Sequence, residues 1–298
     1  HMLKLLDDDE PAIQEALREE FSDTSGDLSN ELAALAIDLK PADQRRLSLL
    51  LLPSRRETLI QEWRIPQGGA DALDEDWESF ENLLHLISDY LHDGVTLRPS
   101  LPDMLDMIAE DATVGLHHTT ENNLRTWMFE SGRFAGNKDN YYTPTNSDLS
   151  WCAETGLGNP ISLALIYMLV ARRLGLDVTG CNYPGHFLAR IQLEGKPMLV
   201  DCFHKGRLIP VEEILSENKN ISIYAKQAIL TQAPLGHILL RILRNLEHSF
   251  SKLKYTEDAK IFKMIFESMQ PKPWEPSTQI LRLMGTYSTA WPSFQMKE

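Results

Sequence analysis

The sequence predicts an α+β fold that is mostly helical, with a buried central helix packed on a small antiparallel sheet and helical regions on both sides. Three observations predict it. A nearly unbroken apolar run starts at residue 160, strand-like segments separated by short turns follow from 178 to 203, and amphipathic patterns fill the flanks. The 298 residues suffice for a sizeable core and two or three structural units.

The first region, residues 3–65, is predicted to be helical. Asp9 can cap a helix with its carboxylate, and Pro11 fits the first turn, where its missing N–H does no harm. Ile13, Leu17 and Phe21 then recur at a spacing of four, which places them on one helix face.

Three further helices are predicted before residue 65. Pro41 opens one of them, Pro53 ends it because proline disrupts a helix interior, and another follows from 58 to 63. A short solenoid and a plain helical bundle both fit this pattern. The remaining helix is predicted from Ser29, with four inward-facing residues: Leu32, Leu35, Ala36 and Leu39.

A linker is predicted at residues 65–70, where a proline and paired glycines separate two periodic regions. The second region, residues 75–225, begins with helices predicted at 77–91, 102–112 and 122–130. Helical periodicity is then lost from 132 to 151, which predicts an ordered loop. Within it, Tyr141 and Tyr142 could line a pocket or lie over the core.

The central helix is predicted to begin at Asn159, a good N-cap, with Pro160 in its first turn and Gly175 as its C-terminal cap. Nearly every position between them is apolar, so burial on all sides is expected. Ser162 lies two residues beyond Pro160, a rotation of roughly 200°, and therefore faces away from the direction of residue 160.

Three strands are predicted at 178–182, 186–193 and 197–203. A two-residue turn at 194–195 would set the second against the third and make one face wholly apolar. In this register Asp201 lies diagonal to His186, within reach of a hydrogen bond. Such a bond can orient an imidazole as in a catalytic triad, or it can simply join two strands.

The third region, residues 226–298, returns to helices. One helical stripe begins at Ile238 and reaches Phe250, and a second helix is predicted from Asp258 to Met269. One helix pair of the tetratricopeptide type is the most that this region can hold. Three prolines then interrupt the pattern: Pro271, Pro273 and Pro276.

Composition excludes several classes of protein. The net charge of −14 argues against a nucleic-acid partner, and no apolar run approaches the roughly 20 residues of a membrane helix. His1-Met2 is read as an expression remnant, and no signal peptide is expected. The three cysteines form no disulfide framework, so a cytoplasmic protein is expected.

No metal or cofactor is expected. His117 and His118 are adjacent and not four residues apart, as a helical metal site would require. Asp201 and His204 alone make a poor ligand set, because Cys202 is predicted to face the opposite side of the sheet. No glycine loop suited to phosphate occurs either.

Four motifs occur in order: Gly-Asn-Pro-Ile-Ser at 158–162, Ala-Arg-Arg-Leu-Gly-Leu at 171–176, Pro-Gly-His-Phe-Leu at 184–188 and Val-Asp-Cys-Phe-His-Lys-Gly-Arg-Leu at 200–208. Together they closely resemble the transglutaminase-like family of the Sir regulator type, a branch of the papain-like superfamily. The resemblance covers half to two thirds of the chain. It implies a transglutaminase-like core in residues 75–225, and residues 5–21 also resemble a HEAT repeat.

The resemblance also implies site residues. Working members of the superfamily use a cysteine at the start of the central helix, a histidine on the next strand and an aspartate or asparagine on the strand after it. His186 and Asp201 match the last two positions, but Pro160 stands at the nucleophile position. The branch commonly has Pro-Ile-Ser at this point, and no cysteine of this chain has an obvious route to replace the nucleophile.

Two functions are therefore considered. The preferred one is a pseudoenzyme that binds a peptide or protein segment, with the helical flanks recruiting a partner, as the branch's links to regulation and to F-box adaptors suggest. The alternative is a hydrolase or acyltransferase in which Ser162, or water activated by His186, replaces the thiol. The expected binding residues are Asn159, Asn182, Tyr183, His204, Arg207, Tyr141 and Tyr142.

Overall fold

The computed structural model describes residues 2–8, 10–22, 24–217 and 221–270. It is mostly helical, with one small antiparallel sheet, as the sequence predicts. The α-helices are α1 Pro11–Ser22, α2 Ser29–Ala34, α3 Pro41–Glu62, α4 Trp77–Leu91, α5 Leu101–Gly115, α6 Glu121–Arg125, α7 Leu149–Thr155, α8 Pro160–Arg173, α9 Val211–Glu217, α10 Ile223–Leu230, α11 Leu235–Lys252 and α12 Thr256–Ser268.

The sheet has four antiparallel strands in the order β3-β4-β5-β6. Ala189 pairs with Val200 and Ile191 with Met198, so the predicted hairpin register is correct. The last strand, β6, was not predicted. The six strands are β1 Ala135–Gly136, β2 Leu157–Gly158, β3 Thr179–Cys181, β4 Leu188–Leu193, β5 Lys196–Asp201 and β6 Arg207–Pro210, of which β1 and β2 form a separate parallel pair.

Helix α8 is the central helix of the fold. The side chain of Asn159 accepts a hydrogen bond from the N–H of Ser162, and Pro160 occupies the first turn. Gly175 follows the helix with φ +69°, a backbone conformation that glycine adopts without strain. Every residue from 160 to 171 is buried, and α8 packs on β4 and on α5. This arrangement confirms the predicted α+β class.

The N-terminal helices have a small core of their own around Leu17, Leu47 and Leu51. The predicted break at Pro53 is wrong, because α3 continues through it. Pro53 is exposed, and so is Leu49, whose carbonyl would otherwise accept the missing N–H, so water can replace the lost hydrogen bond.

One other expectation for this region, the inward-facing positions after Ser29, is partly wrong. Leu35 and Ala36 are exposed and do not face inward, because α2 ends at Ala34 and Ala36 takes a positive φ of 49°. The predicted cap, Asp9, lies outside the described residues.

The helices predicted over 77–91, 102–112 and 122–130 are present, although the last continues as a π-helical turn, Thr126–Glu130.

The C-terminal helices α11 and α12 share one large hydrophobic cluster with α4 and α8. A buried polar group also joins them to the preceding regions: the Asp258 carboxylate accepts hydrogen bonds from Arg56 in α3 and Tyr90 in α4. The three predicted region boundaries stay predictions. The proline-rich stretch that begins at Pro271 lies outside the described residues.

The segment 132–151 is more structured than the predicted loop. Helix α7 begins at Leu149, where the Asp148 side chain accepts from the N–H of Trp151. It ends at Thr155 and is capped by Gly156 with φ +70°. These two capping residues were the available sequence signal. None of the helices in the described ranges combines the length and apolar character needed to cross a bilayer.

Candidate functional site

A cleft of about 380 Å³ opens at the N-terminal end of α8. One wall contains Asn159, Pro160 and Ile161 from the start of this helix. The polar side chain of Asn159 is committed to capping, since its Oδ1 lies 2.9 Å from the backbone nitrogen of Ser162. Pro160 therefore presents a ring with no nucleophile and no N–H to the cleft.

His186 lines the same cleft. Its Nε2 is 2.9 Å from Oδ1 of Asp201, and because an ionised carboxylate only accepts, the imidazole donates this bond. The hairpin register brings the two residues together: Asp201 ends β5, and His186 lies two residues before β4. The predicted His186–Asp201 contact is thus present in the structure.

The Asp201 carboxylate is almost fully buried and accepts hydrogen bonds from three residues. His204 contributes its Nδ1 at 2.9 Å and its backbone N–H at 3.2 Å, and Arg207 contributes Nη2 at 3.3 Å. Burial alone would raise the pKa of Asp201, but the hydrogen bonds and charges of His186 and His204 outweigh it and lower that pKa to about 2. Asp201 is therefore ionised at neutral pH.

His186, Asp201 and His204 bring three potential metal-ligating atoms within 4.8 Å of one another. Their spacing could admit a divalent cation, but the carboxylate is already saturated by hydrogen bonds to the two imidazoles and to Arg207. Arg207 also adds a positive charge beside the position that an ion would occupy. The donor set fits a hydrogen-bonded cluster better than a metal centre.

The loop of Tyr141 and Tyr142 forms another wall of the cleft. The two rings pack edge to face with centroids 5.2 Å apart, and Tyr141 contacts Phe203 in the same way at 5.8 Å. Asn146 holds this loop in place, because its buried amide donates to the carbonyls of Asn140 and Tyr141. The aromatic pair is thus an ordered part of the wall.

Ser162 lies inside the protein and not on the cleft surface. The residue is 2% exposed, and its hydroxyl donates to the carbonyl of Asn146 at 2.5 Å. Oδ1 of Asn159 lies 3.1 Å from the same hydroxyl. The structure thus places Ser162 where the helical rotation predicts, away from the direction of residue 160.

The other expected binding residues fall into two groups. Asn182 and Tyr183 do not line the cleft, but Oδ1 of Asn182 and the carbonyl of Tyr183 accept from Arg241, which does. His204 and Arg207 bind Asp201 but are not among the residues that line the cleft, and their side chains are about half or more exposed. The structure thus brings Tyr141, Tyr142, Asn159, Pro160 and His186 together around one opening.

Sequence reasoning missed the wall that α11 contributes. This helix lines the cleft with Arg241, Arg244, Asn245, His248 and Ser249. The last four follow Arg241 by three, four, seven and eight residues, on the polar face of an amphipathic helix whose other face is buried. That spacing was visible in the sequence, but assigning α11 to a separate C-terminal region hid its relation to the site.

The mostly helical fold with its small antiparallel sheet fits a transglutaminase-like domain. Residues 99–244 match the family described as the transglutaminase-like superfamily, a range that runs from the start of α5 into α11 and includes Pro160, His186 and Asp201. This part of the chain therefore contains a transglutaminase-like domain. No solved structure matched the chain significantly.

Several curated proteins are similar to the chain over part of its length. A UPF0162 protein of Xylella fastidiosa is 40% identical over 131 residues, covering 42% of this chain and 47% of that protein. A UPF0162 protein of Pseudomonas aeruginosa is 34% identical over 126 residues, covering 42% and 46%. F-box only protein 21 of Mus musculus is 28% identical over 125 residues, covering 38% and 20%. The matched segments thus span about half of the bacterial relatives and a fifth of the F-box protein.

Proposed function

We propose that the cleft binds a peptide or protein segment without cleaving it, so that the chain is a non-catalytic regulatory binding module. The observation that carries the proposal is that Pro160 lines the same cleft as His186. Covalent amide or ester chemistry needs a nucleophile within hydrogen-bond reach of a base. Proline supplies none, while the His186–Asp201 pair remains as a polar binding surface.

The cysteines of the chain do not offer a substitute nucleophile. Cys152, Cys181 and Cys202 are all free and buried. Burial raises the pKa of the Cys152 and Cys202 thiols well above their usual range and that of Cys181 to about 11. None of them is a thiolate near neutral pH, which supports the binding interpretation.

A cysteine-independent hydrolase or acyltransferase is the second candidate. The retained 2.9 Å contact between His186 and Asp201 favours it, because such a pair could activate water in the cleft. The version with Ser162 as nucleophile would require the start of α8 to rearrange, since the Ser162 hydroxyl is buried against the carbonyl of Asn146. This cost makes the water route the stronger form of the alternative.

We extend the proposal to the family branch and to the flanking helices. We place the chain in the Sir regulator type on the motifs around Pro160 and His186, and we interpret α1–α3 as HEAT-like helices that recruit a partner. The similarity to F-box only protein 21 supports a protein as that partner. Three free thiols are compatible with the cytoplasm as its site of action.

The test compares the parent protein with His186→Ala, Pro160→Ala and Pro160→Cys. Each is incubated with a peptide mixture rich in Gln, Asn and ester-linked groups, and peptide masses are measured over time. The parent and Pro160→Ala are expected to leave all masses unchanged. Pro160→Cys is expected to gain slow amide or ester cleavage that disappears in the double variant with His186→Ala.

The opposite result identifies an enzyme. If the parent converts peptides and His186→Ala does not, the chain catalyses a reaction without a cysteine and the non-catalytic proposal is wrong. Adding Ser162→Ala to the series then separates the serine route from the water route. The variant loses activity only if Ser162 is the nucleophile.

A further inference from the structure

The charge of the cleft is opposite to the charge of the protein. The chain carries 29 basic and 43 acidic residues, a net charge of −14. Yet the described residues that line the cleft include Arg241 and Arg244 and no aspartate or glutamate. The ligand-facing surface is therefore locally positive in a negatively charged protein, which calls for a specific explanation.

Arg241 is half-buried and has no carboxylate partner within ion-pair distance among the described residues. Its Nη1 donates to Oδ1 of Asn182 at 2.5 Å and to the carbonyl of Tyr183 at 3.0 Å, and both acceptors are neutral. Burial lowers the pKa of Arg241, as expected for a cation without a counter-ion. By contrast, Arg98 pairs with Asp148 at 2.7 Å. The Arg241 guanidinium is thus held in position but not neutralised.

Two further cations lie along the same helix. Arg244, one turn after Arg241, rests with its guanidinium carbon 4.8 Å from the centroid of the Phe266 ring. Lys252 places its Nζ 3.2 Å from the centroid of the Tyr142 ring at the cleft wall. Neither has an ion-pair partner in the part of the chain that the structure describes. The aromatic contacts hold both cations without neutralising them.

We infer that the segment bound in the cleft is an acidic peptide whose carboxylates are held by Arg241 and Arg244. This inference rests on the proposed binding function and names the chemistry of the bound segment. A guanidinium matches a carboxylate with two parallel hydrogen bonds, and a carboxylate would supply the counter-ion that Arg241 lacks. Tyr141 and Tyr142 provide the aromatic surface against which the peptide chain packs.

The overall charge favours a short acidic peptide over a nucleic acid. An extended polyanion would be repelled by the net charge of −14 outside the cleft. A short segment within the cleft is affected less, because salt at physiological concentration screens charges that lie more than roughly 8 Å away. A volume of about 380 Å³ suits a few side chains and not a duplex. The experiment must also distinguish an acidic peptide from a phosphate-bearing ligand.

The experiment measures fluorescence anisotropy of labelled octapeptide pools with the full chain. Two pools are identical except that Asp and Glu in the first are Asn and Gln in the second. The acidic pool is expected to bind at least tenfold more tightly than the amide pool. Arg241→Gln is expected to weaken binding of the acidic pool about tenfold and Arg244→Gln about threefold, with little effect on the amide pool.

Two control variants accompany these measurements. Arg64→Gln removes an exposed arginine outside the cleft and is expected to leave binding unchanged. Asn245→Trp fills the cleft from an exposed position on α11 and is expected to abolish binding of both pools. Far-ultraviolet circular dichroism of each variant checks that the helical fold is retained.

The outcomes separate this inference from the function on which it rests. If both pools bind equally and only Asn245→Trp abolishes binding, the cleft binds peptides and the inferred preference for acidic ones is wrong. If the acidic pool does not bind the parent protein, the inference is overturned. Three phosphate-bearing ligands are also compared with the acidic pool: a phosphoserine pool, inorganic phosphate and a labelled oligonucleotide. If one of them competes with the acidic pool and binds more tightly, the arginines bind phosphate instead.

Discussion

Two buried aspartates, Asp201 and Asp258, show how one chemical arrangement serves two purposes. Both side chains are less than 5% exposed, and both accept hydrogen bonds from cationic groups. Asp258 is bound by Arg56 and Tyr90 and joins α12 to α3 and α4, whose contacting residues lie 202 and 168 positions earlier in the sequence. Asp201 is bound by two histidines and Arg207 at the edge of a cleft.

The difference lies in the partners. The partners of Asp258 close over it, since Tyr90 is buried and the Arg56 side chain is only 26% exposed. The partners of Asp201 are more accessible: the side chains of His204 and Arg207 are 52% and 65% exposed. The His186 side chain is 26% exposed, like that of Arg56, but it lines the cleft. A buried carboxylate whose partners are also covered thus indicates a structural role. A buried carboxylate whose partners line a cleft indicates a candidate site.

The largest effect is expected for Asp258→Ala. Removing this carboxylate leaves Arg56 and Tyr90 without their partner in a largely buried position, so a loss of about 3 kcal/mol in the free energy of unfolding is expected. Urea unfolding measures it. Glu257→Gln is the control: it removes only an exposed ion pair with Lys260 and should cost far less. A loss below about 1 kcal/mol for Asp258→Ala would contradict its structural role.

Asp201→Asn is expected to have a smaller, pH-dependent effect. The folded pKa of about 2 lies below the ordinary value of 3.8, so the carboxylate stabilises the fold by roughly 2 kcal/mol once it is ionised in both states. This contribution is fully present above about pH 5 and is lost as the pH falls from about 4 towards 2. Urea unfolding of both proteins from pH 7 to pH 3 tests it.

The control for that measurement is the parallel pH series on the parent protein, because the other carboxylates titrate equally in both. The difference in unfolding free energy between parent and Asp201→Asn should narrow as the solution becomes more acidic. A difference that stays constant from pH 7 to pH 3 would mean that packing, and not the charge of Asp201, accounts for its stabilising effect.

The smallest effect is expected for Ser162→Ala, which tests whether this residue belongs to the cleft or to the interior. Removing the hydroxyl takes away the donor to the Asn146 carbonyl and should cost about 1 kcal/mol. Ser150 is equally buried, but its hydroxyl has no hydrogen-bond partner in the described residues, so Ser150→Ala should be neutral or slightly stabilising. Thermal unfolding compares the two, and loss of peptide binding in Ser162→Ala alone would contradict its interior role.

Much of the fold could be predicted because its signals are local. The capping of α8 by Asn159 and Gly175 and the hairpin register at β4 and β5 depend on residues close in sequence. The register alone brought His186 to Asp201. The continuation of α3 through Pro53 was not predictable in this way, because it depends on whether the freed carbonyl reaches solvent.

The sequence by itself determined the central helix, the hairpin and the loss of a nucleophile at Pro160, since each follows from residue type and short-range spacing. Only the tertiary structure decided what surrounds that position. The arginines of α11 lie more than fifty residues after His186. They join it because α11 shares one hydrophobic cluster with α8 and packs on α4 and on the Pro144–Ser147 turn. Packing of apolar faces carries little sequence specificity over such distances, so the positive wall of the cleft emerges only in the folded chain.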